Sequence, residues 1–391
     1  MQIDVAKRDL EIALKIATIA MATGQTTDLQ SHYVFHATKG REVTVRTHTR
    51  RTFCGTPLKC SVAGEGAFTI DGWRIRQWLS AVRDTALTLK FEGDGVVEAI
   101  SLRGTMRFGS MDPEKFLSYE SNLESAEAVG EGLPCARLAQ VFNYIQPFVL
   151  DRENTHPQMS LAEVNKGCLY ATNIDSMTII RLTDPTEDGN APLTLAGSEA
   201  RIHVKDVAAL VNFLRLDGDL KVEVLEHKGV CLILRREDGS LFGVARPRDG
   251  FPKFPPDTSV DTQDEAYFDM EMEELSSGIT WLLAGAKRDA RDIRFRWVDD
   301  STLVGSMEAA SGGEVKLPLI LTDHTGLDKL PKVGFKIPHA LITQVGRVAD
   351  EKLKFGLAVK TDDEGEPTGK GYVRFRHADG GDIYQTLVAW V

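Results

Sequence analysis

The chain has 391 residues, 46 of them Lys or Arg and 57 Asp or Glu, so its formal net charge is −11 at pH 7. This length favours two or three domains, and the charge argues against a protein that is basic over its whole surface, although basic residues could be segregated on one face. The apolar stretches are short, the N-terminus does not resemble a signal peptide, and the five Cys are dispersed, so we expect a cytoplasmic protein without membrane contact.

The predicted elements follow the same order three times along the chain. Each third reads strand, helix, strands, helix, strands, with β-branched alternation in the strands and an apolar stripe on each helix. The six predicted helices span 7–22, 73–84, 136–150, 204–217, 273–291 and 338–352. Pro147 is expected to break or kink the third of them. The sequence therefore predicts an α+β fold of three repeats, each an antiparallel sheet covered by two helices.

Equal spacing in two elements supports the repeat. The positions that we align before and after the second helix of each third have offsets of 133 or 134 residues, and they are Ile70, Val204 and Ile337, and Leu87, Leu220 and Leu353. Three unrelated α+β domains would not be expected to share this spacing.

Two segments resemble linkers between the thirds. Residues 121–132 are acidic and small, and residues 254–265 contain Pro-Pro and acids. The predicted domains are therefore 1–122, 132–255 and 264–391.

Five segments carry a family resemblance. The start, MQIDVAKRDLEIAL, and RFGSMDPEKF (107–116) lie in the first third. LYATNIDSM (169–177), GFPKFP (250–255) and the tail IYQTLVAWV (383–391) follow in order. In order and spacing they resemble the bacterial-type DNA polymerase III beta sliding clamp over essentially the whole chain. The resemblance implies a homodimer closed head to tail into a six-domain ring, with helices lining a hole around duplex DNA. It also implies no catalysis and no cofactor.

Charge is segregated in the sense that the resemblance implies. The predicted helices carry 14 Lys and Arg against 10 Asp and Glu, whereas the rest of the chain carries 32 against 47. Basic side chains on helices would contact phosphates without reading sequence, although they could also be ordinary solvated faces. The residues that we expect to face a duplex are Arg8, Lys15, Arg74, Arg76, Arg83, Arg137, Lys205, Arg215, Lys287, Arg288, Arg291, Arg347 and Lys352.

The resemblance also implies an apolar groove for peptide motifs of a replicative polymerase and a clamp loader. The matching positions are Thr172, Ile174, Met177, Pro247, Phe251, Pro252, Leu387, Val388 and Trp390. Alternatively, Leu387 and Val388 are only core contacts of the last strand. Ile174, Asp175 and Ser176 stand where the family usually has Gly, His and Arg, so we expect a different partner preference, as in a phage-encoded member.

The ring seam would join the first repeat of one chain to the third repeat of the other. Phe108 matches an interface position on the first side, and Leu283, Ala284 and Lys287 lie on the third side. The third side is smaller and more polar than is usual, which argues against a very tight dimer.

No catalytic or metal-binding motif is present in the sequence. His32 and His36 have i, i+4 spacing but lie in a predicted strand, and the acids at 362–366 lie in a Gly/Pro-rich turn. The rival interpretation is a β-rich structural or adaptor protein without a DNA function; an enzyme ranks third.

Overall fold

The structure is a computed structural model of the chain, and it contains two compact units. The first unit consists of Met1–Asn143 and Leu195–Arg248, and the second of Tyr144–Thr194 and Asp249–Val391. The described residues are all except 22–28, 39–41, 50, 116–125, 150–156, 166, 174–175, 185–192, 194, 196–199, 227–230, 246–249, 254–263, 265, 300–301, 327–333, 347–351, 362–366, 380–381 and 391. Within them, no helix is long and apolar enough to cross a membrane.

The first repeat has the predicted order of elements. Its helices are α1 (Lys7–Ala17) and α2 (Gly72–Ala81). Its strands are β1 (Gln2–Ala6), β2 (His32–Ala37), β3 (Val43–His48), β4 (Thr52–Leu58), β5 (Cys60–Ala63), β6 (Gly66–Asp71), β7 (Ala86–Phe91), β8 (Val96–Ser101) and β9 (Gly104–Gly109).

The second repeat follows the same order. Its helices are α3 (Cys135–Ile145) and α4 (Val204–Arg215). Its strands are β10 (Glu127–Pro134), β11 (Leu161–Asn165), β12 (Cys168–Thr172), β13 (Ser176–Arg181), β14 (Ala200–His203), β15 (Lys221–Glu226), β16 (Cys231–Arg236) and β17 (Leu241–Ala245).

The third repeat completes the pattern. Its helices are α5 (Met272–Gly285) and α6 (His339–Gly346). Its strands are β18 (Ala266–Glu271), β19 (Asp292–Trp297), β20 (Thr302–Glu308), β21 (Glu314–Ile320), β22 (Asp323–Thr325), β23 (Phe335–Pro338), β24 (Lys352–Thr361), β25 (Pro367–Asp379) and β26 (Asp382–Trp390). The predicted threefold α+β repeat is confirmed.

Each unit contains one sheet in which two neighbouring repeats join. In the first unit this sheet has the order β10-β15-β16-β17-β4-β3-β2-β6, and Leu241 of the second repeat lies opposite Gly55 of the first. In the second unit the strands β11-β12-β13-β26-β25-β24-β18-β22 follow one another, and Met177 lies opposite Leu387. The remaining sheets are β5-β1-β7-β8-β9 in the first unit and β21-β20-β19-β23 in the second.

The helices pack on the sheets through apolar faces, and capping or turn residues define where they begin and end. α1 packs on β3 and β4, with Leu10 and Leu14 fully buried. Asp71 caps α2, since its carboxylate accepts a hydrogen bond from the Arg74 backbone N–H at 2.8 Å. α3 ends at Ile145 and a 3₁₀ turn, Gln146–Phe148, follows, which confirms that Pro147 interrupts the predicted helix.

The alignment of the second repeat is wrong by two residues on both sides of its second helix. Ile70 and Ile337 lie on β6 and β23, two residues before the next helix, whereas Val204 is the first residue of α4. Ile202 is the structural equivalent. After the helix the equivalent of Leu87 and Leu353 is Val222, because Leu220 precedes β15. The stretch between these positions is longer in the second repeat, where α4 has 12 residues and α2 has 10.

The predicted linker at 121–132 is wrong in part. Residues Glu127–Pro134 form β10, which pairs with β15 and places Val129 opposite Val224. The acidic, small composition therefore belongs to a strand whose register shifts between Val129 and Leu133. The other predicted linker, 254–265, lies outside the described residues except for Asp264.

The junction between β4 and β17 depends on a glycine. Gly243 lies opposite Phe53, and a Cβ at Gly243 would overlap the Phe53 ring, which is buried with Leu225 and Ile233. Gly243→Ala is therefore expected to lower the free energy of unfolding by about 3 kcal/mol, since the ring must leave its position. Urea titration followed by circular dichroism measures this change.

Gly55 provides the matched control on the facing strand. A Cβ there would lie 3.5 Å from Arg46 Cγ, which is ordinary contact. Gly55→Ala is expected to change stability by less than about 1 kcal/mol. Equal losses in the two variants would contradict the packing argument.

Candidate nucleic-acid interface and contact surfaces

Helix α1 presents basic residues on the side opposite its core contacts. Arg8 and Lys15 are exposed, and Ile12 between them is 49% exposed. Lys7, in contrast, is tied down, because its ammonium donates to the Val82 carbonyl at 2.7 Å and lies 3.5 Å from Glu11. Arg8 and Lys15 therefore supply the exposed positive charge of this helix.

Helix α2 exposes Arg74 and Arg76, as its apolar stripe requires. Ile75, Leu79 and Val82 are buried, which confirms the predicted core face. Arg76 Nε donates to the Gly72 carbonyl at 2.9 Å. The predicted position of Arg83 on this helix is wrong, because α2 ends at Ala81 and the backbone is already extended at Val82.

In the second repeat, the basic residues lie mainly at the ends of α4. Lys205 and Arg215 are exposed, whereas Arg137 on α3 is half-buried. Asp206, next to Lys205, is buried and lies 3.2 Å from Arg51 Nε. Positive charge therefore lies at both ends of this helix, whereas its one acid, Asp206, is buried against Arg51.

The third repeat departs most from the sequence prediction. α5 ends at Gly285, so Lys287, Arg288 and Arg291 lie in the loop that follows it. Lys287 lies 3.4 Å from Glu308. Lys352 opens β24 and lies 3.3 Å from Glu271, so it is not on a helix either. Arg347 lies outside the described residues.

The positive charge of the described helices thus lies on the first two repeats. Helices α1 to α4 carry eight Lys and Arg against three Asp and Glu. The described parts of α5 and α6 contain two Glu and no Lys or Arg. A polyanion is therefore attracted more strongly to the first four helices than to the last two.

Thr172, Met177, Leu387 and Val388 of the predicted peptide groove lie where β12, β13 and β26 run side by side. Thr172 lies opposite Met177, and Met177 opposite Leu387. Met177 is half-buried, but Leu387 and Val388 are 2% and 3% exposed. These two side chains are buried in the core of the chain, and their part in a groove stays a prediction.

The other predicted groove residues lie on a different segment or outside the described part of the structure. Phe251 and Pro252 are half-buried in an extended segment. Trp390 lies in β26 opposite Gly371, and its side chain is outside the described part of the structure. Ile174 and Pro247 are also outside it.

Asn173 and Ser176, which flank residues 174–175, are joined by hydrogen bonds. The Asn173 side-chain oxygen accepts from the Ser176 backbone N–H at 2.7 Å and from the Ser176 hydroxyl at 3.0 Å.

The predicted seam residues differ in their exposure. Phe108 is 3% exposed and packs edge-on against Trp78, with ring centroids 6.2 Å apart, so it is a core residue of the single chain. Leu283 is 39% exposed, and Ala284 and Lys287 are also exposed. Phe108 lies on β9, and Leu283 and Ala284 belong to α5, which packs on β21; each of these strands lies at the end of a sheet.

Comparison with solved structures relates the whole chain to one fold. The DNA polymerase III beta subunit of Streptococcus pyogenes matches with a TM-score of 0.77 at 13% identity over 100% of both chains. The beta subunit of Pseudomonas aeruginosa gives 0.75 at 12% identity over 100% of both chains. The DNA polymerase sliding clamp of Bacillus subtilis gives 0.77 at 12% identity, over 100% of this chain and 99% of the other.

The chain has the fold of a DNA polymerase III beta subunit. No family model matches the sequence, and no curated protein sequence matches it. The predicted clamp-type fold is therefore confirmed by the comparison of structures, at 12% and 13% sequence identity.

Sequence reasoning missed a buried polar cluster in the second unit of this clamp fold. The Tyr144 hydroxyl lies 3.3 Å from Thr386 Oγ1, which lies 3.0 Å from Thr178 Oγ1. His377 stacks on Tyr384 with ring centroids 4.7 Å apart. Burial raises the pKa of Tyr144, so its hydroxyl stays protonated and hydrogen-bonded. Alternating Tyr and Thr in the tail IYQTLVAWV was the available signal.

The clamp fold also leaves two tryptophans exposed that sequence reasoning did not single out. Trp73 on α2 is 50% exposed, and Trp281 on α5 is 53% exposed. Both were assigned only to amphipathic helices. Aromatic side chains are enriched in protein interfaces, so both tryptophans mark surfaces that could bind a partner.

Groups that could perform covalent or metal chemistry are scarce in the described residues. No three His, Cys, Asp or Glu side chains in this part of the chain come together as metal ligands. Burial raises the pKa of the Cys135 thiol to about 11 and raises that of Cys54 as well. Both thiols are therefore protonated and unreactive at neutral pH.

Proposed function

We propose that this chain is a DNA sliding clamp that encircles duplex DNA and tethers a replicative polymerase to it. The observation that carries the proposal is the likeness of the entire chain to DNA polymerase III beta subunits, which it matches over 100% of both chains. Those proteins are named for a polymerase, and one solved example is called a sliding clamp. The basic residues on α1, α2 and α4 support the same function.

The order of the strands supports a head-to-tail dimer. In the first unit, β4 pairs with β17, and in the second unit β13 pairs with β26. In both junctions, the third strand after the first helix of one repeat pairs with the last strand of the next repeat. Two strands in equivalent positions have no partner repeat within the chain. They are β21, the third strand after α5, and β9, the last strand of the first repeat, and both lie at sheet ends. Pairing β21 with β9 of a second copy, at both seams, closes a ring of six repeats.

A ring of this kind binds DNA without reading its sequence. Exposed Arg8, Lys15, Lys205 and Arg215 would attract phosphates, and an interaction by charge alone permits sliding. The net charge of −11 places the balancing acids elsewhere, which disfavours DNA on the outer surface. The protein would act by topological linkage and would need neither a catalytic group nor a cofactor.

Peptide motifs of the polymerase and the clamp loader would bind beside β13. Met177, half-buried at this position, is the described side chain best placed to contact them. Met177→Glu is expected to weaken binding of a bacterial clamp-binding peptide by about tenfold, because a carboxylate is costly in an apolar contact. Fluorescence anisotropy measures the dissociation constant.

Met111→Glu is the matched control, since Met111 is 37% exposed and lies after β9. It should leave the peptide affinity unchanged. Equal affinities for both variants would show that the peptide binds elsewhere. A wild-type affinity equal to that of a standard bacterial clamp would count against the altered preference expected from Ile174, Asp175 and Ser176.

A β-rich adaptor without a DNA function is the competing proposal. It would share the strand content but would give no reason for basic helices in repeated units. Retention on DNA separates the two. A clamp that has been loaded should stay on closed circular duplex and leave once the circle is linearised, whereas an adaptor should not be retained on either. Stable binding to linear DNA without loss from its ends would contradict the clamp.

A further inference from the structure

A buried arginine lies at the C-terminal end of α4, the helix that ends at Arg215. Arg236 on β16 is 3% exposed, and its guanidinium Nη1 donates to the Phe213 carbonyl at 3.2 Å. The same carbonyl accepts from the Leu216 backbone N–H, which closes the helix. The guanidinium also lies over the Phe213 ring, 5.4 Å from its centroid. Arg236 therefore holds the last turn of α4 through both its backbone and its side chain.

The other side of the guanidinium is fixed by the turn between β16 and β17. Its Nη2 donates to Asp238 at 2.9 Å, and the second Asp238 oxygen accepts from the Ser240 backbone N–H at 2.9 Å. The Ser240 hydroxyl is buried and lies 2.9 Å from the hydroxyl of Thr56, which is on β4 of the first repeat. These contacts connect the end of α4 to the junction where the first two repeats join.

Stability alone gives little reason for a charged side chain at this position. Within the described residues, Arg236 Nε has no hydrogen-bond partner. A buried ion pair with an unmet donor stabilises a fold no better than a well-packed apolar side chain of similar volume. What the guanidinium adds is geometry, because its planar fork holds the Phe213 carbonyl and the Asp238 carboxylate at fixed positions.

We infer that Arg236 is a positioning residue for DNA binding, which fixes the last turn of α4 so that exposed Arg215 is presented to the phosphates of a duplex. Arg215 follows Phe213 by two residues, so the carbonyl that Arg236 holds belongs to the same helical turn. An arginine on a fixed backbone loses less conformational entropy on binding than one on a frayed helix end. This role rests on the proposed clamp function, in which Arg215 attracts phosphates.

A substitution that keeps the charge tests this role. Arg236→Lys retains the cation, but an ammonium cannot reproduce the planar fork that joins Phe213 to Asp238. The variant is expected to bind a short linear duplex about threefold more weakly at low salt. Amide exchange in the last turn of α4 should become faster, since that turn has lost an anchor. Fluorescence anisotropy measures the affinity, and hydrogen exchange with mass spectrometry measures the helix end.

A double-mutant cycle with Arg215 separates positioning from a general loss of structure. Arg215→Ala alone should weaken binding and lower the slope of log affinity against log salt by about 0.9, as expected for one phosphate contact. Adding Arg236→Lys to Arg215→Ala should then cause no further loss of affinity, because the residue through which Arg236 acts is absent. A merely structural role would produce the same loss in both backgrounds, and that result would overturn the inference.

Arg235→Lys is the matched control, since Arg235 neighbours Arg236 on β16 but is exposed and pairs with Glu223 at 2.6 Å. It should leave both the duplex affinity and the exchange of α4 unchanged. Wild-type affinity in Arg236→Lys, or equal losses in the two lysine variants, would also overturn the role of Arg236. A wild-type chain that does not bind the duplex would overturn the proposed function and this role together. A wild-type chain that binds, with an additive cycle, would overturn the positioning role alone.

Discussion

Replacing Arg374 with methionine is expected to lower the free energy of unfolding by about 3–5 kcal/mol at pH 7, because the change leaves a buried carboxylate without its cation. Arg374 on β25 and Asp264, just before β18, form an ion pair in which the side chains are 5% and 4% exposed. The Asp264 carboxylate also lies against Gly356, where a Cβ would displace it. Water therefore has little access to the Asp264 carboxylate and would not solvate it once the Arg374 cation is removed.

Lowering the pH is expected to restore part of this stability. Burial raises the pKa of Asp264, and Arg374, Arg376 and Lys354 oppose that rise. Without Arg374, the carboxyl pKa rises further in the folded chain and stays ordinary in the unfolded one, so the folded state binds more protons. Stability then falls as the pH rises through the folded pKa and recovers below it. Urea titrations between about pH 4 and pH 8 measure this slope.

Two variants control this experiment. Arg296→Met removes an exposed arginine from β19 and should change stability by less than about 0.5 kcal/mol. The double variant Asp264→Asn with Arg374→Met removes both charges and should be less destabilised than Arg374→Met alone, because no unpaired charge is left. The ion-pair argument fails if Arg374→Met and Arg296→Met are equally stable at pH 7.

The repeat could be predicted from the sequence because amphipathic period and strand alternation are local properties. Equal spacing was weaker support than it looked, since α4 is longer than α2 and the true equivalents are Ile202 and Val222. β10 was missed because Glu127–Pro134 has few large apolar residues. Its place in the sheet comes from pairing with β15, which a local pattern does not reveal.

The basic residues were placed on helices that were predicted too long. Gly285 is the last residue of α5 and the backbone is already extended at Ala286, so the predicted helix 273–291 ran too far; glycine is a poor helix former and was the available signal. As a result, Lys287, Arg288 and Arg291 were assigned to a helix face. Phe108 was assigned to the seam from its position, and that assignment stays a prediction; its packing on Trp78 was not predicted, because it joins residues that are distant in sequence.

Neutralising four basic residues on the first two repeats is expected to weaken DNA binding more than any other surface change. The helix variant replaces Arg8, Lys15, Lys205 and Arg215 with alanine, all of them exposed on α1 and α4. Its affinity for a short linear duplex, which can thread the ring from its ends, should fall by about tenfold to a hundredfold at low salt. Fluorescence anisotropy over a salt series measures both the affinity and its salt dependence.

The salt dependence identifies the mechanism. Each phosphate contact that is lost should reduce the slope of log affinity against log salt by about 0.9. A strand variant with the same charge change replaces Lys90, Lys221, Arg235 and Lys336, which lie on β7, β15, β16 and β23. It should keep nearly wild-type affinity and slope. Equal losses in both variants would indicate a general effect of net charge and would contradict contacts through the helices.

The third repeat should contribute less than the first two. The described parts of α5 and α6 carry no Lys or Arg, and Lys287 is engaged with Glu308. Replacing Lys287, Arg288 and Arg291 together is therefore expected to cost less affinity than the helix variant, even per charge removed. The attraction falls with distance and salt, so charges held in ion pairs away from the helices should contribute little. Equal losses per charge in both sets would contradict this unequal contribution of the repeats.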